Sequence, residues 1–79
     1  MKIRIYSIQN TLFEGEAEKL IAETALGEIT VLNNHLPLIS TLAGPHIKLV
    51  DKNEKEVIID IVSGFLEIRP ESEVVAIVE

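Results

Sequence analysis

The chain reads as all-β, a small antiparallel sandwich or barrel of about seven to ten short strands. Three observations predict this class. Short apolar stretches alternate with polar residues at period two. Turn-forming residues interrupt them at Gln9-Asn10-Thr11 and Gly27 and then, from Asn33-Asn34 onward, at intervals of roughly 8–12 residues, at Ala43-Gly44-Pro45, residues 51–56, Ser63-Gly64 and Pro70-Glu71-Ser72. Hydrophobic residues make up 47% of the 79, nearly all aliphatic, with only Tyr6, Phe13 and Phe65 aromatic.

The elements justify themselves in order. In residues 2–8, Ile3 and Ile5 share one face, and Tyr6 and Ile8 then fall on the other. That phase slip predicts a bulge or a crossing between sheets. Residues 12–26 are ambiguous. Phe13, Ala17, Leu20, Ile21 and Ala25 recur at helical spacing, while Gly15 would cost about 1 kcal/mol inside a helix. The pattern alone leans to a helix, but a strand burying Leu20 to Ala22 is also available, and the local pattern does not settle it.

Gly27 ends that segment, and Ile29 and Val31 then alternate with polar neighbours. Asn33-Asn34 predicts a tight turn, because Asn tolerates positive φ. Pro37 lacks an amide donor, so Leu36 to Ile39 reads as an edge strand or an irregular loop. Ile47 and Leu49 alternate with His46 and Lys48, and residues 51–56, DKNEKE, read as a hairpin loop. Val57, Ile59 and Ile61 form the next alternating set, and Leu66 and Ile68 the one after Ser63-Gly64. Residues 73–78, EVVAIV, are apolar on both faces, which predicts a central strand.

A chain of 79 residues supports one domain. It has no cysteine, which excludes disulfides, thiolate metal sites and a cysteine nucleophile. The net charge of −6 argues against nucleic-acid binding, which needs Lys and Arg for phosphate contacts. No apolar run approaches the ~20 residues of a spanning helix, and no charged-then-apolar segment opens the chain. The expectation is a soluble protein that can still dock on a membrane complex.

The chemistry-bearing residues are few. His35 sits beside the Asn turn and could serve as a base or a metal ligand, but His46 is the only other histidine and no His-x-His spacing exists. Glu14, Glu16, Glu18 and Glu23 read as a solvated face. No serine stands in a G-x-S-x-G elbow, and the four glycines are scattered, so no phosphate cradle forms. The residues therefore point to a binding or scaffold module, with no catalytic residue, metal or cofactor.

The segment Gly27–Leu42, GEITVLNNHLPLISTL, carries a family resemblance. Gly-Glu, alternating apolars, a turn, His and Pro-Leu-Ile resemble the amino-terminal domain of the epsilon subunit of the rotary ATP synthase, called delta in mitochondria. Phe13-Glu14-Gly15, Ser63-Gly64-Phe65-Leu66-Glu67-Ile68 and the last apolar strand resemble the family in the same order. Asn33-Asn34 replaces the family's Pro-Gly, and Ser63 replaces one of its paired glycines.

The resemblance implies a sandwich of two packed sheets with about ten short strands, and it assigns residues 16–23 to β. It implies a non-catalytic rotor subunit that joins the gamma subunit to the polar loops of the c ring during proton-driven synthesis. Such a subunit lies peripherally at the cytoplasmic face of the membrane and contacts the membrane only through the complex. Partner contacts map onto Gly27, Glu28, Asn34, His35 and Pro37, with Glu28 meeting a basic c-ring group and His35 shaping its loop. The family's helical second domain is expected to be absent here, and with it inhibition and nucleotide binding. The alternative expectation is a free-standing sandwich that binds a peptide or small ligand at a strand edge.

Overall fold

The alternating stretches become eight strands, with no helix: β1 (Lys2–Tyr6), β2 (Thr11–Glu16), β3 (Lys19–Thr24), β4 (Gly27–Leu32), β5 (Leu38–Val50), β6 (Glu56–Asp60), β7 (Ser63–Arg69) and β8 (Glu73–Val78). The structure is a computed structural model that describes residues 1–79. The strands pair in the order β2-β1-β8-β7-β5-β3-β4, and β6 pairs with the second half of β5 on the same side as β7, in the same register. Every pairing is antiparallel except β1 with β8, which run parallel. β8 is central in pairing, as its apolar sequence predicts.

Two corners fold this ladder into two layers. At the first, the Ala17 amide donates to the Met1 carbonyl at 3.0 Å, and the Glu18 amide donates to Val50 at 2.8 Å. Consecutive amides thus bond to opposite layers, and the chain crosses between them. The helix reading of residues 12–26 is overturned here. Leu20 and Ala22 face inward at period two along β3. The corner sets Ala17 three residues before Leu20, which imitates helical spacing.

The second corner lies inside β5. Ala43-Gly44-Pro45 does not reverse the chain; it bends one 13-residue strand. Leu38 to Ala43 pair with β7, and His46 to Val50 pair with β6. The ladder continues across the bend, where Gly44 donates to Val62 and Ile61 donates to Pro45, both at 2.9 Å. A Cβ on Gly44 would collide with the Ile61 carbonyl oxygen, so only glycine allows this approach. Turn residues that bend rather than reverse explain why eight strands form and not ten.

One layer is β2, β1, β8, β7 and the first half of β5. The other is β6, the second half of β5, β3 and β4. Between them lies a core of 16 buried side chains, including Ile3, Ile5, Leu20, Val31, Ile47 and Leu66. The register of β1 with β2 shifts between Ile5 and Tyr6, where the extra residue is Leu12 on β2 rather than one of residues 2–8, and Tyr6 faces outward by plain alternation with Ile5.

Candidate functional site

The registers place the sequence-predicted contact residues at opposite ends of β4. Gly27 opens the strand and pairs with Thr24, while Leu32 closes it opposite Lys19. Six residues of extended chain separate the two ends by roughly 17 Å. Gly27 and Glu28 therefore belong to one end of the block, and Asn34, His35 and Pro37 to the other.

The Gly27 end is set by the β3–β4 hairpin. Gly27 has φ of +99°, which an L side chain rarely adopts. Thr24, the one buried polar residue, organises the turn. Its hydroxyl donates to the Gly27 carbonyl at 2.9 Å and accepts from the Leu26 amide at 3.0 Å. Leu26 is left 74% exposed at the tip. Glu28 is exposed and stands directly opposite Glu23. Like charges so placed repel, and a cationic partner group would relieve both.

The charge of this end follows from the topology. The Ser7–Asn10 turn, the β5 bend, the β6–β7 connection and Glu79 lie here, because Tyr6 pairs with Ile77, Gly64 with Val78 and Leu42 with Thr24. These segments contribute Glu23, Glu28, Asp60 and Glu79, and no Lys or Arg. All seven basic residues (Lys2, Arg4, Lys19, Lys48, Lys52, Lys55 and Arg69) sit mid-sheet or toward the other end.

The Asn34 end is tied together by side chains. Asn34 adopts the positive φ that the turn predicts, 64°. Its amide donates to Ser72 Oγ at 2.9 Å, joining the β4–β5 loop to the β7–β8 turn. Asn33 donates to Glu18 at 2.8 Å and accepts from the Met1 amino group at 2.7 Å. His35 is half-buried, and its Nδ1 lies 2.7 Å from the Leu36 carbonyl. A carbonyl only accepts, so Nδ1 carries the hydrogen. The bond stays within the β4–β5 loop. Pro37 is exposed and precedes β5, so its missing amide breaks no ladder bond.

No group of three or more His, Asp or Glu side chains is placed to hold a metal. The densest ion pairing lies on the outer face of the first layer. Arg69 bonds Glu67 at 3.0 Å and approaches Glu73 at 3.7 Å, and Arg4 approaches Glu73 at 3.6 Å. The Glu67 hydrogen bond and charge raise the Arg69 pKa above its ordinary value, so the guanidinium stays charged.

Sequence reasoning missed one feature of that outer face. Phe65 and Ile77 point outward and stay 63% and 55% exposed. The two-faced apolarity of residues 73–78 carried the signal, but it read only as a central strand.

A family model described as the ATP synthase delta/epsilon chain β-sandwich domain matches residues 1–78. The chain belongs to this family. Within the delta/epsilon family, an ATP synthase epsilon chain from Dichelobacter nodosus is 30% identical over 74 residues, 94% of this chain and 52% of the relative. One from Psychrobacter arcticus is 36% identical over 70 residues, 89% of this chain and 51% of the relative. The chain spans about half the length of these curated relatives.

Solved structures agree on the delta/epsilon fold. A chain in the cryo-EM structure of the Euglena gracilis mitochondrial ATP synthase superposes with a TM-score of 0.88 at 18% identity, over 96% of this chain and 48% of that one. A chain in the Tetrahymena thermophila mitochondrial ATP synthase central stalk and c-ring structure gives 0.72 at 13% identity, over 98% and 61%.

Proposed function

We propose that this chain is a non-catalytic subunit of an ATP synthase rotor, linking a gamma-type stalk subunit to the c ring during proton-driven synthesis. The observation that carries the reading is the family match along residues 1–78. The architecture supports it. A core of 16 close-packed side chains and 47 backbone hydrogen bonds make a stiff block suited to transmitting torque. Its candidate contacts lie at loops on two opposite ends, as a link between two partners requires.

Glu28, on the end without basic residues, meets a cationic group of the c-ring loops. Asn34, His35 and Pro37 form a contact at the far end. The exposed Glu28 contact contributes only about 0.2–1 kcal/mol, so it sets register more than affinity. The chain works at the cytoplasmic face of the membrane as a peripheral member of the complex.

Removal of the chain from native membranes followed by add-back tests this. Wild-type protein is expected to restore ATP-driven proton pumping and to co-purify with the rotor. Unchanged pumping without the chain, or purification away from the rotor, would sink the proposal.

A further inference from the structure

β6 forms one edge of the second layer. It pairs with β5 alone, so its other side meets no strand. Two bonds fix which backbone groups face that open side. The Asp51 amide donates to the Lys55 carbonyl at 3.0 Å, and the Ile61 amide donates to the Pro45 carbonyl at 2.9 Å. Antiparallel strands alternate between bonded and unbonded residue pairs, and the register between these two bonds is unbroken. Lys55, Val57, Ile59 and Ile61 therefore turn their backbone groups toward β5. Glu56, Ile58 and Asp60 turn their N–H and C=O groups away from it.

A row of unpaired strand groups is a template for another strand, and protein edges are commonly blunted by Lys, Pro or a bulge. β6 contains none of these. Four of its five residues are exposed, Ile58 to 54%. The side chains say what kind of strand fits. Val57 and Ile59 pair with the buried Leu49 and Ile47, so Glu56, Ile58 and Asp60 share the outer face. An apolar residue thus stands between two acids along the open edge. Asp60 takes part in no ion pair, and Glu56 only approaches Lys48 at 3.6 Å. A second copy of the chain does not match. Two β6 strands paired about Ile58 would set Glu56 against Asp60 twice, and like charges placed opposite repel.

We infer that the β6 edge takes up an extended segment of a partner protein with a Lys/Arg-x-apolar-x-Lys/Arg pattern. The two cations lie opposite Glu56 and Asp60, and the apolar residue lies opposite Ile58. The pattern is symmetric, so either strand direction satisfies it. This recognition goes beyond the rotor role proposed above and does not depend on it.

The test titrates the isotope-labelled 79-residue chain with a capped peptide, Thr-Lys-Thr-Val-Thr-Lys-Thr, followed by NMR. Saturable binding is expected to slow hydrogen exchange at the Glu56, Ile58 and Asp60 amides and to leave Val57 and Ile59 unchanged, because only the first three face the peptide. A peptide with Glu in place of both Lys is expected to bind at least about tenfold more weakly at low salt, with the gap closing at high salt. Ile58→Pro removes the central donor at a position where an edge strand tolerates proline. It is expected to abolish binding while amide dispersion is retained. The alternation in the wild-type chain decides the matter even where the proline variant fails to fold. No binding of the Lys peptide, uniform protection from Glu56 to Asp60, shifts centred on another strand, or equal affinity for the Glu peptide would each overturn the inference. Dimerisation of the chain through β6 would overturn it in favour of a second copy. The rotor proposal, read by co-purification, stands or falls separately.

Discussion

Asn34 and Ser72 lock two turns together through one hydroxyl. Ser72 Oγ accepts from the Asn34 amide at 2.9 Å and lies 3.3 Å from Asn34 Oδ1, to which it donates. Both residues hold positive φ, 64° and 56°. Two backbone conformations that side chains seldom adopt thus support each other across 38 residues of sequence.

Ser72→Ala removes both bonds, and the expected loss is about 1 kcal/mol of stability. Asn34→Val adds a β-branched residue at positive φ and should cost about 2 kcal/mol. Asn34→Gly should be nearly neutral. Urea midpoints of the three variants check the ranking, and equal midpoints would refute the lock.

Gly44→Ala places a methyl against the Ile61 carbonyl oxygen. Neither backbone can move without breaking the paired bonds at Gly44 and Ile61. The expected cost is about 3 kcal/mol, near the upper end of overpacking effects. A thermal scan showing a Tm within a degree or two of wild type would contradict the corner geometry.

Glu28→Lys should act in opposite directions on stability and function. It replaces the Glu23–Glu28 repulsion with an attraction, which should raise stability by about 0.5 kcal/mol. On the proposed role it should also weaken the coupling of proton flow to synthesis. The measurements are a denaturation curve and proton pumping in reconstituted membranes. A stabilised variant with undiminished coupling would remove Glu28 from the interface.

Leu66→Ala empties the centre of the core, where Leu66 is fully buried. The expected loss is about 2–5 kcal/mol, a large share of what a small domain possesses. The amide spectrum should lose dispersion at growth temperature; a native-like spectrum with an unshifted midpoint would argue against a two-layer core at this position.

Much of this fold was legible in the sequence because alternation survives wherever a strand keeps a single partner layer. Ile3 and Ile5, and Leu66 and Ile68, face inward as their spacing predicts. Legibility failed at the two corners. The Ala17-Glu18 crossing changes phase within two residues, so strand spacing there mimics a helix. At Gly44-Pro45, turn-type residues bend a strand whose partner ribbon bends with it, and that partner is more than a dozen residues away. The site was legible as residues but not as a layout. Gly27, Glu28, Asn34, His35 and Pro37 are neighbours in sequence, and an extended strand carries them to opposite ends.

β5 and its β6–β7 partner belong to both layers, crossing from one to the other as a continuous hydrogen-bonded ribbon. Sliding one layer over the other would have to tear peptide linkages out of register, not merely unseat methyl groups. Neither layer can melt alone, so the slowest amide protons of both should exchange with solvent at a common rate. A machine part with this wiring has no slack to take up before it moves as a whole.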